Sequence, residues 1–102
     1  LVFILQRGVR FPQGPPFMSY FVYMILSKHK KRIISYVGYT NNLLNRLTKH
    51  NSSKGAKFTK GKYWEIIYFK KYSNKISAMK DEYKLKKDYK LRKKIKDNFL
   101  KK

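Results

Sequence analysis

Residues 35–51, SYVGYTNNLLNRLTKHN, place four side chains of catalytic type close together: Tyr36, Gly38, Arg46 and His50. A guanidinium is a planar, permanently charged fork that matches phosphate oxygens, so Arg46 suits charge developing on a phosphodiester. His50 can orient a water, contact phosphate or act as an acid. A phenol with a pKa near 10 is a poor base unless a cation lowers it. Tyr36, with Tyr23 upstream, therefore suits positioning or relaying a proton. Gly38 leaves room for a phosphate backbone to approach a strand end. Each has a plainer reading. Tyr23 and Tyr36 can be two core tyrosines, Gly38 an ordinary strand end and Arg46 a solvated helix residue. His50 can be a cation against a helix dipole.

These residues need elements to hold them. Tyr20–Leu26, YFVYMIL, is apolar and aromatic without interruption, which predicts a buried strand. Ser27–Arg32 reads as a polar turn of about six residues, followed by a second strand over Ile33–Gly38, so that Tyr23 and Tyr36 meet across a hairpin. Thr40 or Asn41 is placed to cap a helix whose Leu43, Leu44 and Leu47 share one side. Arg46 and His50, four apart, stack on the flank of that stripe. Residues 52–62, SSKGAKFTKGK, read as a mobile basic loop.

A third strand is expected over Tyr63–Tyr72, and then a helix from Lys75 to Lys87 capped by Ser73 or Asn74. On a helical wheel Ile76, Ala78, Met79, Tyr83, Leu85 and Tyr89 fill one half, with Glu82 among them and Lys86 beside it. Asp81 and Asp88 fall on the solvated half. A carboxylate in an apolar half asks for a reason. The plain one is an i, i+4 ion pair with Lys86. The chemical one is a metal ligand, because one carboxylate plus waters and substrate phosphate is the habit of Mg²⁺. A last helix, about Tyr89–Leu100, carries Leu91, Ile95 and Phe99 at i, i+4, i+8. The order β-β-α-β-α-α predicts an α+β fold: a small, three-stranded, mainly antiparallel sheet flanked by helices.

Composition narrows the partner. The chain has 102 residues, with 26 Lys and Arg against 5 Asp and Glu, a formal charge of +21. That excess opposes compaction and calls for a polyanion, most simply nucleic acid. An aromatic content of 17% is too high for a disordered basic tail. With no cysteine there is no disulfide framework and no Cys-based zinc site. An anionic membrane surface is the other candidate, set below nucleic acid; no apolar run reaches the roughly 18 residues of a membrane span, and no membrane partner is expected. Lys49, Lys54, Lys57, Lys60 and Lys62 are candidate phosphate contacts, with a solvated lysine surface as their plain reading. Phe58 or Trp64 is placed to stack on an unpaired base, core packing being the simpler role for Trp64. His29, in the hairpin turn, is assigned no role. Residues 1–17 contain three prolines and no lysine and read as a leader or expression remnant, within which Val2–Leu5 is apolar enough for a short strand, with the functional domain over 18–102. The expected setting is cytoplasmic and nucleoid-associated.

The combination of Tyr23 in the first strand, Tyr36-Val37-Gly38 ending the second, YTNNLLNRLTKHN, KGAK and then Glu82 resembles the GIY-YIG nuclease superfamily. Within it the chain is similar to the small standalone branch grouped with the nuclease domains of UvrC-type and Slx-type enzymes. The resemblance runs from about Ser19 to Lys87. Phe21 stands where the first motif has its glycine. The resemblance implies a DNA endonuclease dependent on Mg²⁺ or Mn²⁺, with one tyrosine hydroxyl helping to deprotonate the attacking water. It puts Arg46 on the phosphate, His50 in the site and Glu82 on the metal. It also implies a role such as DNA repair, with selectivity for DNA structure or a protein partner that supplies specificity. The alternatives are a basic DNA- or RNA-binding domain without cleavage, and a ribosome- or RNA-associated protein on the same fold.

Overall fold

The apolar run beginning at Tyr20 becomes the strand that the sheet is built on. In the computed structural model, which describes residues 2–4 and 19–101, β2 spans Tyr20–His29. It pairs antiparallel with β3, Arg32–Thr40, on one side and with β4, Glu65–Tyr72, on the other. Phe21 to Ser27 are all buried, which accounts for an unbroken apolar run where a one-sided strand would alternate. A short strand, β1 (Val2–Ile4), pairs with the other edge of β4, giving the order β1-β4-β2-β3. The three antiparallel strands and three helices expected from the sequence are thus present, and β1 falls on the short apolar stretch Val2–Leu5. The rest of the stretch read as a leader, and the boundary at Met18, lie outside the described residues.

The hairpin is tighter than a six-residue loop. His29 pairs with Arg32, and only Lys30 and Lys31 turn the chain. Lys30 takes a φ of 59°, a left-handed conformation that usually falls to Gly or Asn and costs another residue about 1 kcal/mol. SKHKKR offers neither, so the turn is invisible to residue type.

Side chains alternate along β2 into two layers. One face carries Phe21, Tyr23 and Ile25 and packs with Ile66, Phe69 and Trp64 beneath Leu43 of α1, Leu43–Asn51. The other carries Val22, Met24 and Leu26 and packs with Ala78 and Leu85 of α2, Lys75–Lys87, and with Ile95 and Phe99 of α3, Tyr89–Leu100. The cap of α1 is Asn42, one residue beyond the expected pair: its side chain accepts from the Asn45 amide at 2.9 Å. Leu43 is buried and Leu47 half-buried, but Leu44 is exposed. Asn74 and Asp88 cap α2 and α3.

The face of α2 differs from the wheel. Ile76, Met79 and Tyr83 are exposed, and Tyr89 is exposed on α3. The sheet-facing residues are Ala78, Asp81, Glu82 and Leu85, at i, i+3, i+4, i+7. Asp81, expected in solvent, accepts a hydrogen bond from the Tyr72 hydroxyl and lies 3.8 Å from Lys70. The sheet beneath α2 presents these two polar partners, so a carboxylate packs inward there at the expense of larger apolar neighbours.

Lys30→Gly removes the left-handed penalty with no lost side-chain bond in view. It is expected to stabilise the fold by about 0.5–1 kcal/mol in urea unfolding, with an unchanged m-value.

Candidate active site

His50 sits at the C-terminal end of α1, yet its ring is fully buried. Four residues explain how a polar ring is accommodated there. The Tyr23 hydroxyl lies 2.7 Å from Nε2, and Thr59 Oγ1 lies 2.9 Å from Nδ1. Thr59 Oγ1 donates to the Ala56 carbonyl at 2.8 Å, and Arg46 Nε donates to Tyr23 Oη at 3.4 Å. Counting protons fixes the directions. The one hydroxyl proton of Thr59 is committed to Ala56, so His50 Nδ1 must donate to Thr59. A neutral imidazole then has a bare Nε2, and Tyr23 must donate to it. The chain therefore runs Arg46 to Tyr23 to His50 to Thr59 to Ala56.

The electrostatics agree. Burial, and then the charge of Arg46, lower the His50 pKa to about 4, so the ring is neutral at pH 7 and is not a helix-end cation. Burial pushes Tyr23 up to about 12, although the hydrogen bond and charge of Arg46 pull the other way. Both links of the pair are neutral, as a buried site requires.

Two glycines make the room. Gly38 is the register partner of Tyr23, and a Cβ at Gly38 would sit 2.5 Å from Tyr23 Oη. A Cβ at Gly55 would sit 2.5 Å from His50 Nδ1. The space over Gly38, expected for a phosphate backbone, is thus filled by the Tyr23 ring. Tyr23 and Tyr36 do not face each other across the hairpin, because Tyr36 pairs with Ile25. They meet through His50: the ring centroids lie 5.8 Å (Tyr23) and 5.3 Å (Tyr36) from that of the imidazole. Phe21, at the position of the missing glycine, packs edge-on against Phe69 and is absorbed into the core.

Residues 52–62, expected to be mobile, are anchored. Asn51 makes two bonds with the Trp64 backbone, at 2.6 Å and 3.1 Å, closing the segment at its base. Trp64 is fully buried, and its indole donates to the Thr59 carbonyl at 3.0 Å. A 3-10 turn, Lys57–Thr59, then carries Thr59 to His50. Gly55 and Thr59 are the site residues that sequence reasoning missed. The KGAK stretch was the available signal for Gly55, and nothing local marks Thr59.

Half-buried Tyr36 opens on a cleft of about 360 Å³ lined by Ser35, Tyr36, Val37, Phe58, Lys86 and Arg92. Half-buried Arg46 spends only Nε on Tyr23, and its terminal nitrogens have no hydrogen-bond partner among the described residues. Glu82 is 17% exposed, 3.4 Å from Lys86, and near enough for its charge to act on Tyr23. The described residues contain no group of three or more His, Cys, Asp or Glu able to hold a metal. Lys49, Lys54, Lys57 and Lys60 are exposed, whereas Lys62 is half-buried and donates to the Phe58 carbonyl at 3.3 Å.

The model of the GIY-YIG catalytic domain matches residues 19–96. The chain belongs to the GIY-YIG family. GIY-YIG domains are nuclease-type domains, and the match covers Tyr23, Tyr36, Arg46, His50 and Glu82. Relatives include the UPF0213 protein OB0043 of Oceanobacillus iheyensis, 52% identical over 50% of this chain and 60% of that protein. A UPF0213 protein of Pediococcus pentosaceus is 46% identical over 50% of this chain and 55% of its own length. UPF0213 protein YazA of Bacillus subtilis is 40% identical over 68% of each chain. The chain thus spans little more than half the length of the first two. None of these names states an activity. No solved structure matches the chain.

Two outcomes follow from this GIY-YIG site. Gly38→Ala or Gly55→Ala must displace a ring of the buried pair, and each is expected to cost about 1–3 kcal/mol in denaturant unfolding. His50 is also a pH liability. Its folded pKa of about 4 lies below the ordinary 6.5, so the unfolded chain binds the proton first. Its contribution is fully present above about pH 6.5 and is lost as pH falls toward 4, by roughly 2–3 kcal/mol. Denaturant midpoints at pH 7 and pH 4 should show this loss, with a flatter profile in His50→Gln.

Proposed function

We propose that the chain is a metal-dependent endonuclease that hydrolyses DNA phosphodiester bonds with water as nucleophile. The observation that carries this is the posture of Arg46. Tyr23 holds its Nε, and the two remaining nitrogens of the fork are left for phosphate oxygens beside the Tyr36 cleft. Charge developing on the scissile phosphate would meet a fixed, partly desolvated cation, where such a contact counts most.

Tyr36 and Tyr23 then divide the work. Tyr36 is accessible and lines the cleft, so its hydroxyl orients the attacking water. Tyr23 is buried and acts through what it holds, and its proton already points at His50 Nε2. With its proton donated to His50 Nε2 and its oxygen accepting from Arg46 Nε, Tyr23 positions the guanidinium while the pair stays neutral. His50 has no exposed surface, so its role is to hold and receive from Tyr23 rather than to touch substrate.

Glu82 suits a hard divalent ion: a single half-buried carboxylate, with waters and phosphate completing the shell, as Mg²⁺ and Mn²⁺ allow. Such an ion, when bound, would stabilise charge on the leaving oxygen. Lys86 is the competitor for Glu82 and would have to yield. Lys49, Lys54, Lys57, Lys60 and Lys62 would contact phosphates, which supports selection by DNA structure over base sequence.

Cleavage of labelled single-stranded, nicked, flapped and duplex DNA should require Mg²⁺ or Mn²⁺ and stop with EDTA. Arg46→Ala should lower the rate about 10²–10³-fold without recovery in Arg46→Lys, and Glu82→Ala should abolish metal-dependent turnover. Binding with no cleavage by the wild type would overturn the nuclease reading in favour of a binding domain.

A further inference from the structure

The reaction proposed above leaves Phe58, on the wall of the Tyr36 cleft, without a role. Phe58 is 52% exposed although it neighbours the buried Trp64, at a ring separation of 6.3 Å. Its ring lies nearly parallel to that of Tyr36, at 20° and 6.2 Å between centroids. Lys62 Nζ stands 5.4 Å from the Phe58 centroid. The anchored segment holds this arrangement, since Phe58 lies in the 3-10 turn next to Thr59, which is bonded to His50. An exposed aromatic ring, backed by a second ring and with the Lys62 ammonium over it, fits a nucleobase and its phosphate once Lys62 turns from the ring to that phosphate. Lys86, paired with Glu82, and Arg92, which donates to the Leu85 and Lys86 carbonyls, also line the cleft.

We infer that Phe58, backed by Tyr36, is a shelf that stacks one unpaired base of single-stranded DNA next to the scissile phosphate. This deepens the nuclease reading and rests on it for the word scissile. Stacking recognises the π-face that every base has, so the shelf selects for an unpaired strand without reading sequence. A paired base is unavailable unless it is first extruded, which penalises intact duplex. Lys62 holds the phosphate of the stacked nucleotide, and Tyr36 joins the shelf to the cleft where the water is oriented.

The test is binding by the full chain in EDTA, so that cleavage plays no part. A fluorescein-labelled 12-nucleotide single strand and its blunt duplex are titrated by anisotropy across a salt series. Phe58→Leu is expected to weaken single-strand binding about 5- to 100-fold, to leave duplex binding within about twofold, and to leave the salt slope unchanged. Lys57→Ala is expected to weaken both ligands alike and to reduce that slope by about one. Phe58→Trp should keep single-strand affinity, and its added fluorescence should be quenched by the single strand and not by the duplex. Equal loss on both ligands in Phe58→Leu, no loss on either, or no quenching in Phe58→Trp would overturn the shelf. Cleavage that persists alongside such a result would leave the nuclease reading standing. Intact quenching in a protein that never cleaves would sink that reading and keep the shelf.

Discussion

The hydrogen bond between Tyr23 and His50 is the constraint that the rest of the structure obeys. Both groups lie at the base of an otherwise apolar layer of Phe21, Ile25, Leu43, Trp64 and Phe69. A polar pair there is tolerable only if every donor and acceptor is met. The requirement spreads outward. Gly38 must be glycine for β3 to lie beside Tyr23, and Gly55 must be glycine for the chain to pass over the imidazole. Thr59 must be carried to Nδ1, which is why residues 52–63 are closed by Asn51 and folded down by Trp64. A segment that composition alone would leave in solvent becomes a wall of the site.

Charge is arranged as a consequence. Each of the five acidic residues is already engaged. Asp81 meets Tyr72 and Lys70, Glu82 meets Lys86, Asp88 caps α3, Asp97 pairs with Lys93 at 2.9 Å, and Glu65 also has a partner. The surplus of Lys and Arg has no such counter-charge within the chain, so the surface awaits a polyanion. Within that field the neutral His50 prevents a second cation from competing with Arg46. Among the described residues the Arg46 guanidinium is the positive group bonded to the buried pair, and in the proposed reaction its terminal nitrogens would meet the phosphate.

Much of this was legible in residue order, and the failures have physical causes. α2 was readable because Asn74 signals its start and thirteen helix-compatible residues follow. Arg46 and His50 were readable as one flank of a helix from their spacing of four, and their grouping with Tyr36 from the resemblance to the GIY-YIG pattern. The buried face of α2 was read in part: Ala78, Glu82 and Leu85 turn inward as on the wheel, but Asp81 does too, because the sheet opposite offered Tyr72 and Lys70 to its carboxylate. The two-residue hairpin was hidden by a left-handed lysine. The Tyr23–Tyr36 pairing failed by two residues of register, because the chain turns at Lys30 and Lys31, one residue later than the centre of the expected loop. Gly55 and Thr59 act only through contacts nine or fewer residues away in sequence but defined by the folded loop, and no periodicity announces them.

The directed chain of hydrogen bonds is the central claim, and the nitrogen resonances of the His50 imidazole test it most directly. Long-range proton–nitrogen NMR on the labelled protein reports which ring nitrogen carries hydrogen and when the second is protonated. The account predicts a neutral ring at pH 7 with hydrogen on Nδ1, a bare Nε2, and no titration until pH falls to about 4. Hydrogen on Nε2, or a ring that titrates near 6.5, would contradict it, because Tyr23 could not then be donating to His50 and the hold on Arg46 would need another explanation.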